Sequence, residues 1–155
     1  MSRKRLIMSI VFSVLTVLLL VFIFGQSSID AEKSDAKSIG LTQFINNFFE
    51  SIDFDIVLTN TIIRKLAHFA EYFVLGFLLC ATVFSYTWRL KLSMFFAPLS
   101  GLVVSVLDEL SQIFSKGRSP QITDVIIDFF GVITAVAITS LFIFLIFIRR
   151  KKDKN

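Results

Sequence analysis

Four apolar segments, each long enough to cross a lipid bilayer, constrain this chain more than any other feature. They cover approximately residues 6–25, 64–87, 91–114 and 124–148. A bilayer core about 30 Å thick requires roughly 20 apolar residues of helix, and a helix satisfies its own backbone hydrogen bonds in lipid. The segments therefore predict an all-α integral membrane protein with four transmembrane helices. A length of 155 residues favours one domain, 1–155.

The first segment could in principle be a secretory signal peptide, because it follows a basic triplet at the N-terminus. Its apolar run from Leu6 to Phe24 is longer than the roughly 7–15 residues of a signal peptide. The small-residue cleavage site that a signal peptide requires is also poorly matched by Gly25-Gln26-Ser27. The sequence therefore predicts an uncleaved helix.

The distribution of basic residues predicts the orientation. Ten of the sixteen Lys and Arg residues lie at the N-terminus, in the turn at 89–91 and in the C-terminal tail. Basic residues beside apolar segments mark the cytoplasmic side, so both termini are expected in the cytoplasm. This placement also explains the net charge of +4 without a nucleic-acid partner.

The first extracytoplasmic loop, 26–63, contains a helical pattern of its own. Apolar residues recur there three and four positions apart, which is one face of a helix of three to four turns. We expect an amphipathic helix on the outer membrane surface or across the end of the bundle; a flexible linker is the alternative. The apolar positions are Leu41, Phe44, Ile45, Phe48, Phe49 and Ile52.

Polar and charged side chains collect at one end of the predicted helices. Helices 2 and 4 begin, and helices 1 and 3 end, on the same side of the membrane, so these side chains share one leaflet. A charged group at mid-membrane costs about 2.5–3.5 kcal/mol on an insertion scale, which makes such groups candidates for function. The predicted ligand-binding set is Arg64, Lys65, His68, Glu71, Tyr72, Asp108, Glu109, Gln112, Arg118, Asp124 and Asp128, with Gln26 at the end of helix 1.

Several kinds of chemistry are compatible with this set. His68, the only histidine, lies one turn before Glu71, and these two are the candidate catalytic residues for proton transfer. The basic residues are suited to a phosphate group. His68 and the acids could bind a hard cation, but their spacing matches no dedicated motif, so no metal and no cofactor are assigned. A purely structural ion-pair network is a further possibility.

The same residues resemble the signature of VanZ-like membrane proteins. The resemblance is carried by residues 64–72 (RKLAHFAEY), by 108–114 (DELSQIF) with Gly117 and Arg118, and by Asp124, Asp128 and Gly131. Residues 26–28 (QSS) are similar to the family's polar patch after helix 1, in a less typical order. The resemblance covers nearly the whole chain. It implies a multi-pass protein of the bacterial cell membrane linked to resistance to teicoplanin-type glycopeptides, and it assigns no reaction.

Three functions are compatible with these observations. In the first, an outward-facing polar pocket binds a lipid-linked envelope precursor, a lipoglycopeptide or another lipophilic ligand. In the second, the protein is an intramembrane hydrolase or transferase that acts on an envelope lipid. A transporter or channel is the third; it would require an oligomer, because no polar stripe continues through the cytoplasmic half. The sequence leaves the oligomeric state and the existence of any reaction open.

Overall fold

A computed structural model describes residues 2–152, and the side chains of residues 2–149. The predicted tail residues Asp153 and Lys154 therefore lie outside the described residues. The fold consists of five α-helices, and a short 3₁₀ turn, Gln112–Phe114, continues the fourth of them. The helices are α1 (Arg3–Ser27), α2 (Ala31–Ser51), α3 (Asn60–Thr87), α4 (Leu90–Ser111) and α5 (Ile122–Lys152).

Four of these helices are long and apolar enough to cross a membrane, namely α1, α3, α5 and α4 together with its 3₁₀ turn. The predicted all-α class with four transmembrane helices is thereby confirmed. Each predicted segment lies inside an observed helix, which begins one to four residues earlier. Local capping sets some of these starts: the Ser2 and Thr59 hydroxyls accept hydrogen bonds from backbone amides in the first turns of α1 and α3.

Helix α3 lies at the centre of the bundle, in contact with α1, α4 and α5. Its most extensive contact is with α5, where two glycines allow the backbones to approach. A Cβ atom added to Gly131 would lie 2.5 Å from the Phe69 carbonyl oxygen, and one added to Gly76 would lie 2.7 Å from the Val132 carbonyl oxygen. Small residues that permit such close approach are the usual means of helix association in lipid.

The remaining interior is narrow and contains small polar groups. Ser9, Ser93 and Ser105 are fully buried, and the Thr16 and Thr82 hydroxyls lie 3.1 Å apart between α1 and α3. Most large apolar side chains of α1, α4 and α5 instead point outwards. An aqueous protein would rarely expose so much apolar surface, whereas a lipid environment covers it.

Helix α2 begins at Ala31, ten residues before the predicted amphipathic pattern. Its polar side faces α3: Thr42 donates a hydrogen bond to Asn60, and the Asn46 side chain makes two hydrogen bonds with the backbone of Leu58. Its apolar side is exposed, including Phe44 at 70%. The helix therefore contacts the bundle through polar groups and presents its apolar face outwards, as expected for a helix at a membrane surface.

We name one end of the bundle the polar end. It is the end at which α1 and α4 finish and α3 and α5 begin. The linker between α4 and α5 pairs there with the linker after α1: the Ala31 amide donates to the Lys116 carbonyl, and the Lys116 amide donates to the Asp30 carboxylate. The buried Ser115 hydroxyl donates to the carbonyl of Ser27. These hydrogen bonds connect the end of α1 and the start of α2 to the linker between α4 and α5.

The close contact between α3 and α5 predicts that Gly131→Ala destabilises the protein. Its Cβ would meet backbone atoms of Phe69 and Phe73, which cannot rotate away as a side chain could. We expect a loss of about 1–3 kcal/mol, the range for overpacking, measured as a lower melting temperature in detergent. The matched control is Gly25→Ala in α1, where no atom lies within 4 Å. Equal melting temperatures for the two variants would contradict the prediction.

Candidate functional site

Three helices bring one histidine and two carboxylates together near the polar end. His68 is on α3, Asp108 on α4 and Asp128 on α5, and one potential ligand atom from each lies within 4.8 Å of the other two. Asp108 is 1% exposed and Asp128 is 0% exposed. We name these three residues the His–Asp cluster.

Hydrogen bonds orient the Asp128 carboxylate on both sides. One oxygen lies 3.2 Å from Nδ1 of His68, and the other accepts a hydrogen bond of 3.0 Å from the Ser105 hydroxyl. A carboxylate that contacts one ring nitrogen of a histidine fixes the ring's orientation and favours a proton on that nitrogen. The pair therefore has the arrangement of a histidine base positioned by a buried acid.

Two buried oxygens next to this arrangement have no hydrogen-bond partner in the described part of the chain. One is Oδ1 of Asp108, and the other is the hydroxyl of Tyr72. Both side chains are almost completely buried. Buried polar atoms are normally paired, and here the Tyr72 hydroxyl and the Asp108 carboxylate lie close enough to interact with each other.

Glu109 and Gln112, by contrast, support the linker to α5. One Glu109 oxygen accepts a hydrogen bond of 2.7 Å from the Gln112 side chain, and the other accepts one of 2.7 Å from the Gln121 amide. Glu109 is adjacent to Asp108, yet the two side chains point in different directions, as neighbours about 100° apart on a helix must. In this structure Glu109 holds the start of α5.

A cavity of about 290 Å³ opens beside the His–Asp cluster, between α1, α2, α3 and the linker before α5. His68 lies on its wall. The remaining lining is divided between apolar and polar side chains. The apolar residues are Phe22, Leu41, Ile63 and Ala67; the polar ones are Gln26, Ser27, Ser34, Lys37, Ser38, Arg64, Glu71 and Arg118.

Positive charge exceeds negative charge on the cavity wall. Arg64 pairs with Asp35 of α2 at 2.8 Å, and both side chains remain partly exposed. Arg118 forms no ion pair with any described residue, and its Nε is buried without a partner. Burial lowers the pKa of the Arg118 guanidinium, and the neighbouring charge of Arg64 lowers this pKa further. Both effects would be relieved by an anion between the two arginines.

A smaller cavity of about 150 Å³ is also lined by His68. Lys65 and Asp124 line it, together with Arg64 and Gln121. The predicted residues therefore divide into four groups: the buried cluster with Tyr72, the larger cavity with Arg64, Glu71 and Arg118, the smaller cavity, and the linker support formed by Glu109 and Gln112. His68 is common to the first three groups.

Some residues of the site were absent from the predicted set. Ser105 orients Asp128, and it lies one turn before Asp108 on the same face of α4, a spacing that could have indicated it. Asp35 and Lys37 reach the site because α2 extends ten residues further towards its N-terminus than predicted. Their sequence neighbourhood has no apolar periodicity, so only the tertiary contact identifies them.

Comparison with protein families shows to which family the chain belongs. The family model for VanZ/LLP1 matches residues 12–145, most of the chain. The chain belongs to the VanZ/LLP1 family. Its four apolar helices make it a multi-pass membrane protein. The match includes α3, α4, most of α5 and every residue of the His–Asp cluster. No curated protein and no solved structure matches the chain.

Proposed function

We propose that this VanZ/LLP1 protein binds a lipid-linked or lipophilic ligand with an anionic group in the larger cavity. We further propose that this binding lowers the action of lipid-bearing glycopeptides such as teicoplanin. The proposal rests on the mixed lining of the cavity. Apolar side chains there adjoin basic side chains whose positive charge is only partly balanced by acidic groups.

The apolar part of the lining suits a hydrocarbon chain. Phe22 lies on α1 one turn before the end of that helix, and Leu41 and Ile63 approach it from α2 and α3. Transfer of apolar surface out of water is favourable at roughly 25 cal/mol per Å². The cavity lies at the ends of spanning helices, where lipid headgroups meet the protein. An amphiphile could therefore keep its chain in lipid while its head enters the cavity.

The basic part of the lining suits a phosphate or carboxylate. The guanidinium group binds such anions through paired N–H donors, and Arg118 has an unused buried donor. Lys37 adds a third cation from α2. An anion would also reduce the repulsion between Arg64 and Arg118. Lipid-linked envelope precursors and lipoglycopeptides both combine a hydrocarbon chain with anionic groups.

The orientation of the chain belongs to the same proposal. We propose that the polar end faces the outside of the cell and that both termini are cytoplasmic. The support is the excess of Lys and Arg at the other end of the bundle, in the N-terminal segment, the 89–91 turn and the C-terminal tail. Envelope precursors and glycopeptides act outside the bacterial membrane, so the cavity would meet them there.

A second candidate function is supported by the His68–Asp128 contact. A histidine held by a buried carboxylate can act as a general base or acid, and here it lies on the wall of the cavity. We propose, as the alternative, an intramembrane hydrolase or transferase acting on a cell-envelope lipid. Glu71, also on the cavity wall, would be the second proton-transfer group.

The orientation predicts which positions a membrane-impermeant reagent can reach. The chain's single cysteine, Cys80, is buried and can be replaced by serine. In that background, intact cells should label Glu50→Cys, on α2, and should not label Lys91→Cys, at the opposite end. Both positions are exposed, so lysed cells should label both. The reverse pattern in intact cells would contradict the orientation.

The binding proposal predicts that Arg118→Gln weakens protection against teicoplanin. In a susceptible Gram-positive host, the wild type should raise the inhibitory concentration, and Arg118→Gln should lose most of that increase because an anion contact is removed. The matched control, Lys91→Gln, removes a charge at the opposite end and should protect like the wild type. Membrane levels of all three are compared by blotting. Equal protection by Arg118→Gln would contradict a role of the cavity in protection. No protection by the wild type would contradict the proposed effect on teicoplanin.

The catalytic alternative predicts a separation between turnover and binding. His68→Asn and Glu71→Gln keep side-chain size but remove proton-transfer capacity, so they should lower hydrolysis of an undecaprenyl-phosphate-linked substrate by about 10²-fold or more. Binding of that lipid should change much less. The readout is product release from proteoliposomes, with Asn47→Ala, an exposed position on α2, as the control. Turnover that is undetectable in the wild type, or unchanged in both variants, would favour the binding function.

A further inference from the structure

We propose that the His–Asp cluster is a binding site for a divalent metal ion, coordinated by His68, Asp108 and Asp128. The residues come from three separate helices; the two aspartates are buried, and the side chain of His68 is 20% exposed. The cluster adjoins the cavity through His68, and the inference does not depend on which ligand the cavity binds.

The ligand atoms lie close to the separations of a single-ion site. Zn²⁺ binds nitrogen and oxygen ligands at about 2.0–2.2 Å in a tetrahedral arrangement, so its ligand atoms lie roughly 3.4 Å apart. Nδ1 of His68 and one oxygen of Asp128 are 3.2 Å apart, and a metal ion would take the place of the proton between them. The three ligand atoms all lie within 4.8 Å of one another, so side-chain rotations that shorten the widest separation would bring all three to one ion.

A cation would compensate the charge of the cluster. Asp108 and Asp128 are almost completely buried in membrane-spanning helices, where unpaired carboxylates are expensive. No described Lys or Arg forms an ion pair with either of them, and the contact of Asp128 with His68 carries charge only when His68 is protonated. Oδ1 of Asp108 makes no well-formed hydrogen bond among the described residues, and the Tyr72 hydroxyl beside this carboxylate is a neutral partner. A metal ion would offset the negative charge of both carboxylates.

The surroundings of the cluster support the same reading. Ligands of bound metals are usually oriented by further hydrogen bonds, and Ser105 does this for Asp128 through the oxygen that does not contact His68. His68 also lines both cavities, which gives an ion a route to the site. Three protein ligands leave at least one coordination position for water or a ligand group.

The donor set indicates the class of ion. One imidazole nitrogen with two carboxylate oxygens suits Zn²⁺ or Mn²⁺ better than Ca²⁺, which prefers six to eight oxygens. No thiol takes part, because Cys80 is elsewhere in the bundle. A bound ion would also add positive charge near Arg64 and Arg118, at the end of the molecule where the cavity opens.

The test uses the full chain, purified in detergent without a histidine tag, treated with a chelator and then titrated with Mn²⁺ or Zn²⁺ alone. We expect one ion per chain, measured by elemental analysis after dialysis. We also expect affinity at least tenfold lower in Asp108→Asn and Asp128→Asn. The matched control is Glu50→Gln, an exposed carboxylate on α2 that lines neither cavity and lies outside the cluster, which should bind like the wild type.

Two further measurements test the site without changing any of its three ligands, so a misfolded ligand variant cannot decide the outcome. Because His68 is the only histidine, Mn²⁺ bound to the wild type should show electron-spin-echo modulation from one imidazole nitrogen, with no mutation needed. Ser105→Ala, which keeps all three ligands, should lower affinity by about 10–100-fold by freeing Asp128. Failure of the wild type to bind either ion, or Mn²⁺ binding without nitrogen modulation, would overturn the proposal. So would unchanged affinity in folded Asp108→Asn and Asp128→Asn.

Discussion

The close approach of α3 and α5 is the contact on which the rest of the structure depends. At Gly131 the two backbones are so near that a single added carbon would meet the Phe69 carbonyl. Phe69 follows His68, and Asp128 lies one turn before Gly131. The absence of a side chain at one position therefore sets the distance at which the histidine and the buried carboxylate meet. The same close contact therefore contributes to both the architecture and the site.

This close packing does not by itself explain the two buried carboxylates. A bundle stabilised by helix packing alone would not need two buried carboxylates. Apolar side chains of similar size in their place often give a protein of equal stability. Here the carboxylates lie between three helices, one is held by Ser105, and the other has an unpaired oxygen. Such an arrangement is costly for folding and is expected where binding requires it.

The sequence was sufficient for the spanning helices because length and apolarity decide them almost alone. It also placed His68, Asp108 and Asp128 at one level, because alternating helix directions bring their helix ends together. It could not separate Asp108 from Glu109, since only the packing around α4 decides which neighbour faces α3 and α5 and which holds the linker at Gln121. Nothing in the sequence indicated that α2 begins at Ala31. Its first turns are polar, so apolar residues do not recur there at helical spacing.

Helix α2 connects the cavity to an exposed apolar surface. It is held to α3 by polar contacts, including Arg64 with Asp35, and it turns Phe44 and Phe48 outwards. Its inner side completes the cavity wall through Ser34, Lys37 and Leu41. The helix that exposes its apolar face therefore also forms one wall of the basic cavity. If the cavity binds an amphiphile, as proposed, the hydrocarbon chain could lie against this exposed apolar surface while the anionic head contacts Arg118.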